Sequence, residues 1–444
     1  MKKSLFSLAL LLLLIFFLPT IVSTTYGKQL VIELLAKASH GKVSIKTLRL
    51  RWLGPQKIEN LQITSPTLHL SIDEIETSLK LWNFLALQKA DLSFLLHKEV
   101  HFDIKNGNLL VPLEKASIEN IRGNIDTTAD GLKVSLSAKN KEGGSLKAEG
   151  VIGAAIPSMT WENLTCNLFL RLHDFPALPF FPKGLLPLLG DQIDMSATMK
   201  IEKGFGSLYV IYTSSTTKTL IDAYLNKGLL TLQSPITLSL HLTHKLSRYL
   251  LKDINPFFFL AISADHPILL DIPKEGFNLP LGQLENFEME NAKIDMGKVQ
   301  CLNGGILALA VALLKNPRLI SVKEMQVWFT PFSFSIKGGL LTSKRLDMLI
   351  ADSLHIATWG KINLQENQLH MTLGITKETL QHAFNLKGLP PNYLLQIPIK
   401  GKPNHPKIDG AEAAARIATL LALPTSAQHE KKAPNPITPF PWEK

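Results

Sequence analysis

Apolar and polar residues alternate with a period of two along most of the chain from His40 onward. Successive side chains of a β-strand point to opposite faces, so this alternation predicts short strands that each bury one face. Turn-forming pairs separate the strand segments, and the strongest hairpin signal among them is Asn106-Gly107. The pattern therefore predicts a mainly β fold of antiparallel meander sheets.

A few segments carry apolar residues at helical spacing or follow a helix-capping residue. They predict short helices that cap the sheets: Gly27–Ser39, Thr243–Ile254, Ile306–Leu314, a stretch starting after Thr376, and Ala411–Ala422. The first of these helices either lies against a membrane surface or closes the end of a sheet.

An uncharged run from Ser4 to Val22 follows the cationic start Met1-Lys2-Lys3. As a helix it would be about 28 Å long, close to the hydrocarbon thickness of a bilayer. The positive flank predicts a cytoplasmic amino terminus, with the bulk of the chain on the far side of the membrane. We expect a retained single-pass anchor. A cleaved signal peptide is the alternative, although the residues around Ser23 fit a cleavage site only loosely.

Length and composition indicate a folded protein of two or three units, since the chain has 444 residues, of which 45% are hydrophobic and 19% charged. Four prolines between Phe175 and Gly190 forbid regular strand pairing and predict a boundary there. The predicted organisation is a stub and membrane anchor (1–23), an N-terminal β unit with a leading amphipathic helix (24–175), a Pro-rich break (176–190), a C-terminal β unit with short helices (191–422) and a disordered Pro-rich tail (423–444).

Charge and motifs exclude several function classes. The net charge of +10 is spread along the chain without a long basic run, which argues against a nucleic-acid partner. No common catalytic or metal-binding motif is present, so we expect no enzyme, no metal site and no cofactor. We expect His355 to be an ordinary residue on an exposed strand surface. Cys166 and Cys301 lie far apart in apolar surroundings, which favours buried free thiols over a disulfide.

Short motifs at both ends resemble AsmA-like proteins. The anchor, the helix and a Gly-Lys-Val-Ser-Ile strand beginning at Gly41 resemble the start of such chains. Lys337-Gly338-Gly339-Leu340 and Gly360–Leu364 resemble their C-terminal domain, at about 322–410 here. Ile397–Ile408 is similar to the closing segment of AsmA- and TamB-type chains, with one departure at Lys402, where the family often has Thr or Ser.

The resemblance implies an inner-membrane-anchored periplasmic protein whose repeating β sheets curl into a groove or taco-like trough. Such proteins are associated with phospholipid traffic and with outer-membrane integrity or assembly. The implied partners are phospholipid acyl chains, the inner membrane and outer-membrane assembly components. The expected function is lipid binding or transfer. A non-catalytic scaffold for outer-membrane proteins, with a filled β core, is the alternative. The candidate groove residues share strand faces in the C-terminal unit: Phe332, Phe334, Ile336, Leu369, Met371, Leu373 and Ile375.

Overall fold

The computed structural model describes residues 41–51, 54–65, 68–78, 100–111, 116–128, 131–153, 160–177, 186–314, 317–386, 388–422, 433–437 and 439–443, together with 23, 28, 29, 31–33, 35 and 36. The fold is mainly β and its strands are antiparallel, as predicted. The predicted anchor Ser4–Val22 lies outside the described residues. Within the described part of the chain, no helix is long and apolar enough to span a membrane.

The chain divides into two compact units. The N-terminal unit comprises Met1–Pro182, Asp191–Ile211 and Leu225–Lys227, and the C-terminal unit comprises Lys183–Gly190, Tyr212–Tyr224 and Gly228–Lys444. The Pro-rich segment at 176–190 was expected to separate two units. The strands on either side of it pair with each other, with Phe175 opposite Ile193 and Pro176 opposite Gln192.

The N-terminal unit is a simple meander in which each of the first nine strands pairs with the next. Its strands are β1 (Lys42–Arg49), β2 (Gln56–Thr64), β3 (His69–Thr77), β4 (His101–Val111), β5 (Ala116–Thr128), β6 (Gly131–Lys139), β7 (Ser145–Gly153), β8 (Cys166–Pro176), β9 (Gln192–Glu202) and most of β10 (Phe205–Ser214). Residues 28, 29, 31–33, 35 and 36 are helical. Val31, Ile32 and Leu35 pack against the first three strands, so this helix closes the end of the sheet.

Asn106-Gly107 does not form the predicted hairpin turn. Strand β4 continues through these residues as a β-bulge, and Asn106 has a positive φ of 50°. Asn120 and Asp174 also have positive φ values at shifts of strand register. Asparagine tolerates the left-handed region in a bulge as well as in a turn, so the sequence signal could not separate the two.

The C-terminal unit is a branched antiparallel sheet. Its strands are most of β11 (Thr217–Asn226), then β12 (Leu229–Leu232), β13 (Ile236–Leu240), β14 (Ala261–Ala264), β15 (Ile268–Ile272), β16 (Asn278–Pro280), β17 (Glu288–Asp295), β18 (Lys298–Leu302), β19 (Glu324–Phe329), β20 (Phe332–Lys337), β21 (Leu340–Ile350), β22 (Leu354–Asn363), β23 (Gln368–Thr376), β24 (Leu394–Lys402) and β25 (His405–Ile408). One branch lies on β21, which pairs with β20 before a bulge and with β19 after it.

Short helices accompany this sheet, and most lie where the sequence predicted them. They are α1 (Leu186–Leu189), α2 (His244–Tyr249), α3 (Gly305–Leu313), α4 (Pro317–Ile320), α5 (Lys377–Phe384) and α6 (Gly410–Ala422), with 3₁₀ turns at Leu251–Asp253, Pro256–Phe258, Leu284–Asn286 and Pro441–Glu443. The Thr376 hydroxyl accepts a bond from the Thr379 N–H at the start of α5, and Asp409 caps α6 in the same way.

Candidate functional site

The apolar face of the N-terminal sheet is continuous across β1–β9. The strand register places one apolar residue of each strand opposite one of the next, and the row runs Leu48, Ile58, Ile75, Ile104, Gly123, Leu136, Ala148, Leu170, Ala197. A second row beside it runs Phe102, Ile125, Val134, Gly150, Leu168, Met199. We call this surface the apolar face.

Burial changes along the apolar face. At its first strand, Leu48 is buried in a small core beneath the N-terminal helix. From Ile58 to Ala197, every residue of the first row is only partly buried, and so is every residue of the second row. The partly exposed part crosses the eight strands β2–β9, which at about 4.8 Å apart span roughly 34 Å, so the partly exposed aliphatic surface is long. A continuous apolar surface that keeps contact with solvent is a common sign of a binding site.

The opposite, charged face of the same sheet carries ion pairs across neighbouring strands. Lys105 on β4 donates to the Glu74 carboxylate of β3 at 2.7 Å, and Lys57 on β2 bonds to the same carboxylate from the opposite neighbouring strand. These hydrogen bonds, that from Lys105 first, lower the pKa of Glu74 below its usual value. In the same way, the hydrogen bond between His173 Nδ1 and Asp194 Oδ1, which are 2.6 Å apart, lowers the pKa of Asp194. The charged face is thus a solvated surface, and the two faces of the sheet differ sharply in chemistry.

A cavity of about 340 Å³ lies beside β2–β5. Its lining is mixed, with Leu70, Leu109 and Ile118 next to polar groups that include His69 and Lys141. Leu70 lies on the side of the apolar face, since it packs against the same small core as Ile75 and Ile104. The register then places Leu109 opposite Leu70 and Ile118 opposite Leu109. The cavity therefore joins apolar strand positions to a polar edge, a combination suited to an amphipathic ligand.

The seven predicted groove residues come together, but they lie in a closed core and not along an open trough. All belong to one hydrophobic cluster of the C-terminal unit, and six of them are at most 3% exposed, with Ile336 partly buried at its margin. Helices α3 and α6 pack side chains such as Leu307 and Ile417 into the same cluster. The prediction of groove-lining positions here was wrong, because period-two alternation is the same for a trough and for a face covered by helices.

Aromatic rings fill the centre of this core. The Phe258 ring meets Phe329 edge-on with centroids 5.0 Å apart and Phe332 at 5.8 Å, and Phe332 lies 6.1 Å from Phe334. Cys301 is fully buried in the same cluster, and burial raises its thiol pKa to about 12. Cys166 is buried in the N-terminal unit, where burial again raises the pKa. Both thiols are free, as predicted.

A buried polar cluster lies on the other side of the C-terminal sheet, and the sequence did not reveal it. Arg345 holds Asp347 through two bonds, Nε to Oδ2 at 2.9 Å and Nη2 to Oδ1 at 2.7 Å. His355 Nε2 lies 3.0 Å from Asp347 Oδ1. Asp347 is 1% exposed and Arg345 9%. His355 was expected on an exposed surface, but its partner is Asp347 on the neighbouring strand, a pairing that depends on strand register.

Comparison with known proteins returned no similarity: no family model, curated protein or solved structure matches the chain. Across the described residues, no group of three or more His, Cys, Asp or Glu side chains is arranged to hold a metal ion.

Proposed function

We propose that the N-terminal unit binds the acyl chains of a lipid along its apolar face. The observation that supports this is the row of partly exposed apolar residues that crosses β2–β9 without a charged residue. Each methylene that leaves water gains about 0.8 kcal/mol, so a long apolar strip favours a long hydrocarbon chain over a small polar ligand.

The biological setting of this proposal comes from the sequence. A retained anchor at Ser4–Val22 would hold the chain on the inner membrane with its bulk in the periplasm. The resemblance to AsmA-like proteins supports phospholipid as the lipid and transport or outer-membrane maintenance as the role. An apolar strip of roughly 34 Å is slightly longer than the hydrocarbon core of one bilayer, about 30 Å, which favours a lipid-handling module over a bridge between membranes.

Two adjacent positions of β8 give a matched test. Leu170 belongs to the apolar face, and its neighbour Phe169 points to the charged face, where it pairs with Glu149 and Thr198. Leu170→Asp places a charge in the path of the acyl chain, while Phe169→Asp places the same charge on the solvated side. We expect wild type and Phe169→Asp to purify with phospholipid detectable by mass spectrometry, and Leu170→Asp to lose most of it.

Circular dichroism makes this comparison decisive. Because Leu170 is partly exposed, a hydrated aspartate there should leave the strand signal near that of wild type. Equal lipid in the two folded variants, or no lipid in the wild-type protein, would overturn the proposal.

A non-catalytic scaffold for outer-membrane proteins is the second candidate. The closed core of the C-terminal unit favours it, since that unit presents no apolar trough at the seven predicted positions. A scaffold would keep its partners in pull-downs with Leu170→Asp, whereas the lipid proposal predicts that this variant loses function with its lipid.

A further inference from the structure

The last residues of the chain lie against the sheet of the C-terminal unit. The Nη1 group of Arg345 donates to the Pro434 carbonyl at 3.0 Å. The rings of Phe440 and Trp442 stack with centroids 5.0 Å apart and planes 3° from parallel. Both rings meet His355 edge-on, at 4.7 and 5.2 Å. We call residues 433–437 and 439–443 the C-terminal strap. The tail was predicted to be disordered from 423, and these contacts correct that prediction for the strap.

The surface beneath the strap is built from groups that ordinarily face water. Leu346 and Met348 point into the core, so Asp347 between them points to the outer face of the sheet. Its carboxylate is nevertheless 1% exposed and bound to Arg345 and His355. Buried charges are stable only when they are paired and hydrogen-bonded, and the strap carbonyl takes the Arg345 Nη1 donor that Asp347 does not.

The strap has the composition of a peptide ligand. Prolines stand at 434, 436, 439 and 441, and they alternate with Phe440 and Trp442 at the end that meets His355. Proline restricts the backbone before binding, so little conformational entropy is lost when such a segment docks. Folded domains commonly recognise proline-rich segments through ring side chains. Here His355 is the ring on the domain, and Phe440 and Trp442 are the rings of the segment.

We propose that Arg345 and His355 form a binding site for a proline-rich peptide with two aromatic residues separated by one residue, and that the chain's own strap occupies this site. Arg345 Nη1 donates a hydrogen bond to a backbone carbonyl of the peptide, and the two aromatic residues pack against the His355 ring. Asp347 positions both side chains. The site is masked by its own chain, so a peptide from another molecule binds only when the strap is displaced.

The test uses the peptide in trans. A chain that ends at Lys432 lacks the strap, and a fluorescent peptide of residues 433–444 is titrated against it and followed by anisotropy. We expect saturable binding to the truncated chain and at least tenfold weaker binding to the full chain, whose site is filled. A control peptide with alanine in place of Phe440 and Trp442 should bind at least tenfold more weakly to the truncated chain.

Two substitutions at His355 separate the ring from the charge cluster. His355→Phe keeps a ring against which the peptide can pack, and His355→Ala removes it. Only His355→Ala should therefore weaken the binding of the peptide, by about tenfold. If the truncated chain does not fold by circular dichroism, the full-length Phe440→Ala/Trp442→Ala variant serves as receptor. No binding to a folded receptor, or equal binding of the alanine peptide, would overturn the proposal.

Discussion

At the scale of single residues, burial decides what the two cysteines can do. A thiol reacts as the thiolate, and burial disfavours that charged form, so a raised pKa means less thiolate at any pH below it. For Cys301 the pKa rises from 9.0 to about 12, which lowers the thiolate fraction near pH 8 roughly a thousandfold.

We therefore expect both cysteines to resist a thiol reagent in the native protein at pH 8. In 6 M guanidinium, where burial is lost, both should react within minutes. Absorbance of the released aromatic thiol measures the number of groups modified. A fast native reaction of one or two equivalents would show that the cores around Cys166 and Cys301 open readily.

Phe332 and Phe169 allow a second prediction at this scale. Phe332 is 2% exposed and touches two other phenylalanine rings, whereas Phe169 is 36% exposed on the charged face. Phe332→Ala should lower the free energy of unfolding by about 3–5 kcal/mol because it leaves a cavity. Phe169→Ala should change it by less than about 1 kcal/mol. Denaturant melts of the two variants check this, and equal effects would contradict the closed core.

At the scale of elements, the charged face of β2–β4 makes the N-terminal sheet sensitive to acid. The pKa of Glu74 is depressed by hydrogen bonds from Lys105 and then Lys57. A depressed carboxyl pKa adds stability that is present above the unfolded value of 4.5 and is lost as pH falls through the folded pKa.

The wild-type protein should lose stability below pH 4.5 as Glu74 takes up a proton. Glutamine cannot take up that proton, so Glu74→Gln should lose less stability over the same pH range. The measurement is a series of unfolding curves between pH 3 and pH 7, with Glu378→Gln, an acid at the first turn of α5, as the comparison. Identical pH profiles for wild type and Glu74→Gln would show that the pair does not act in solution.

The C-terminal strap gives a prediction at the scale of one segment. Truncation after Lys432 uncovers the Arg345–Asp347–His355 cluster and removes two stacked aromatic residues, so it should cost about 1–3 kcal/mol. We expect the melting temperature to fall by a few degrees. Trp442→Ala should produce part of this shift in the full chain. An unchanged melting temperature after truncation would show that the strap adds no stability.

Sequence patterns predicted the elements better than their roles. Alternation placed most strands, and capping residues such as Thr376 and Asp409 placed the helices. The candidate site moved to the other unit, because Met371 and Leu170 stand in similar alternating patterns. The difference is that distant helices pack on the face that carries Met371 and not on the face that carries Leu170. Local sequence does not encode that packing. The strap was missed because it contacts residues far away in sequence, such as Arg345, which lies 89 residues before Pro434.

At the scale of the whole molecule, an anchor at Ser4–Val22 would decide where the protein acts. The run from Ser4 to Val22 has the length of a membrane span and a loose cleavage site. We expect N-terminal sequencing of the mature protein from membranes to begin at or near Met1. A start between Ser23 and Gly27 would contradict the anchor and release the chain into the far compartment.

The meander of β1–β9 affects the order in which the strands of the chain can pair during synthesis. Each strand pairs only with its neighbours in sequence across this run, so its contacts close short loops and need no distant partner. The C-terminal sheet pairs β17 with β20 and β14 with β18, so those strands must wait for later ones. A chain emerging amino terminus first can therefore add its first nine strands one at a time, while the second sheet forms only after most of its sequence has emerged.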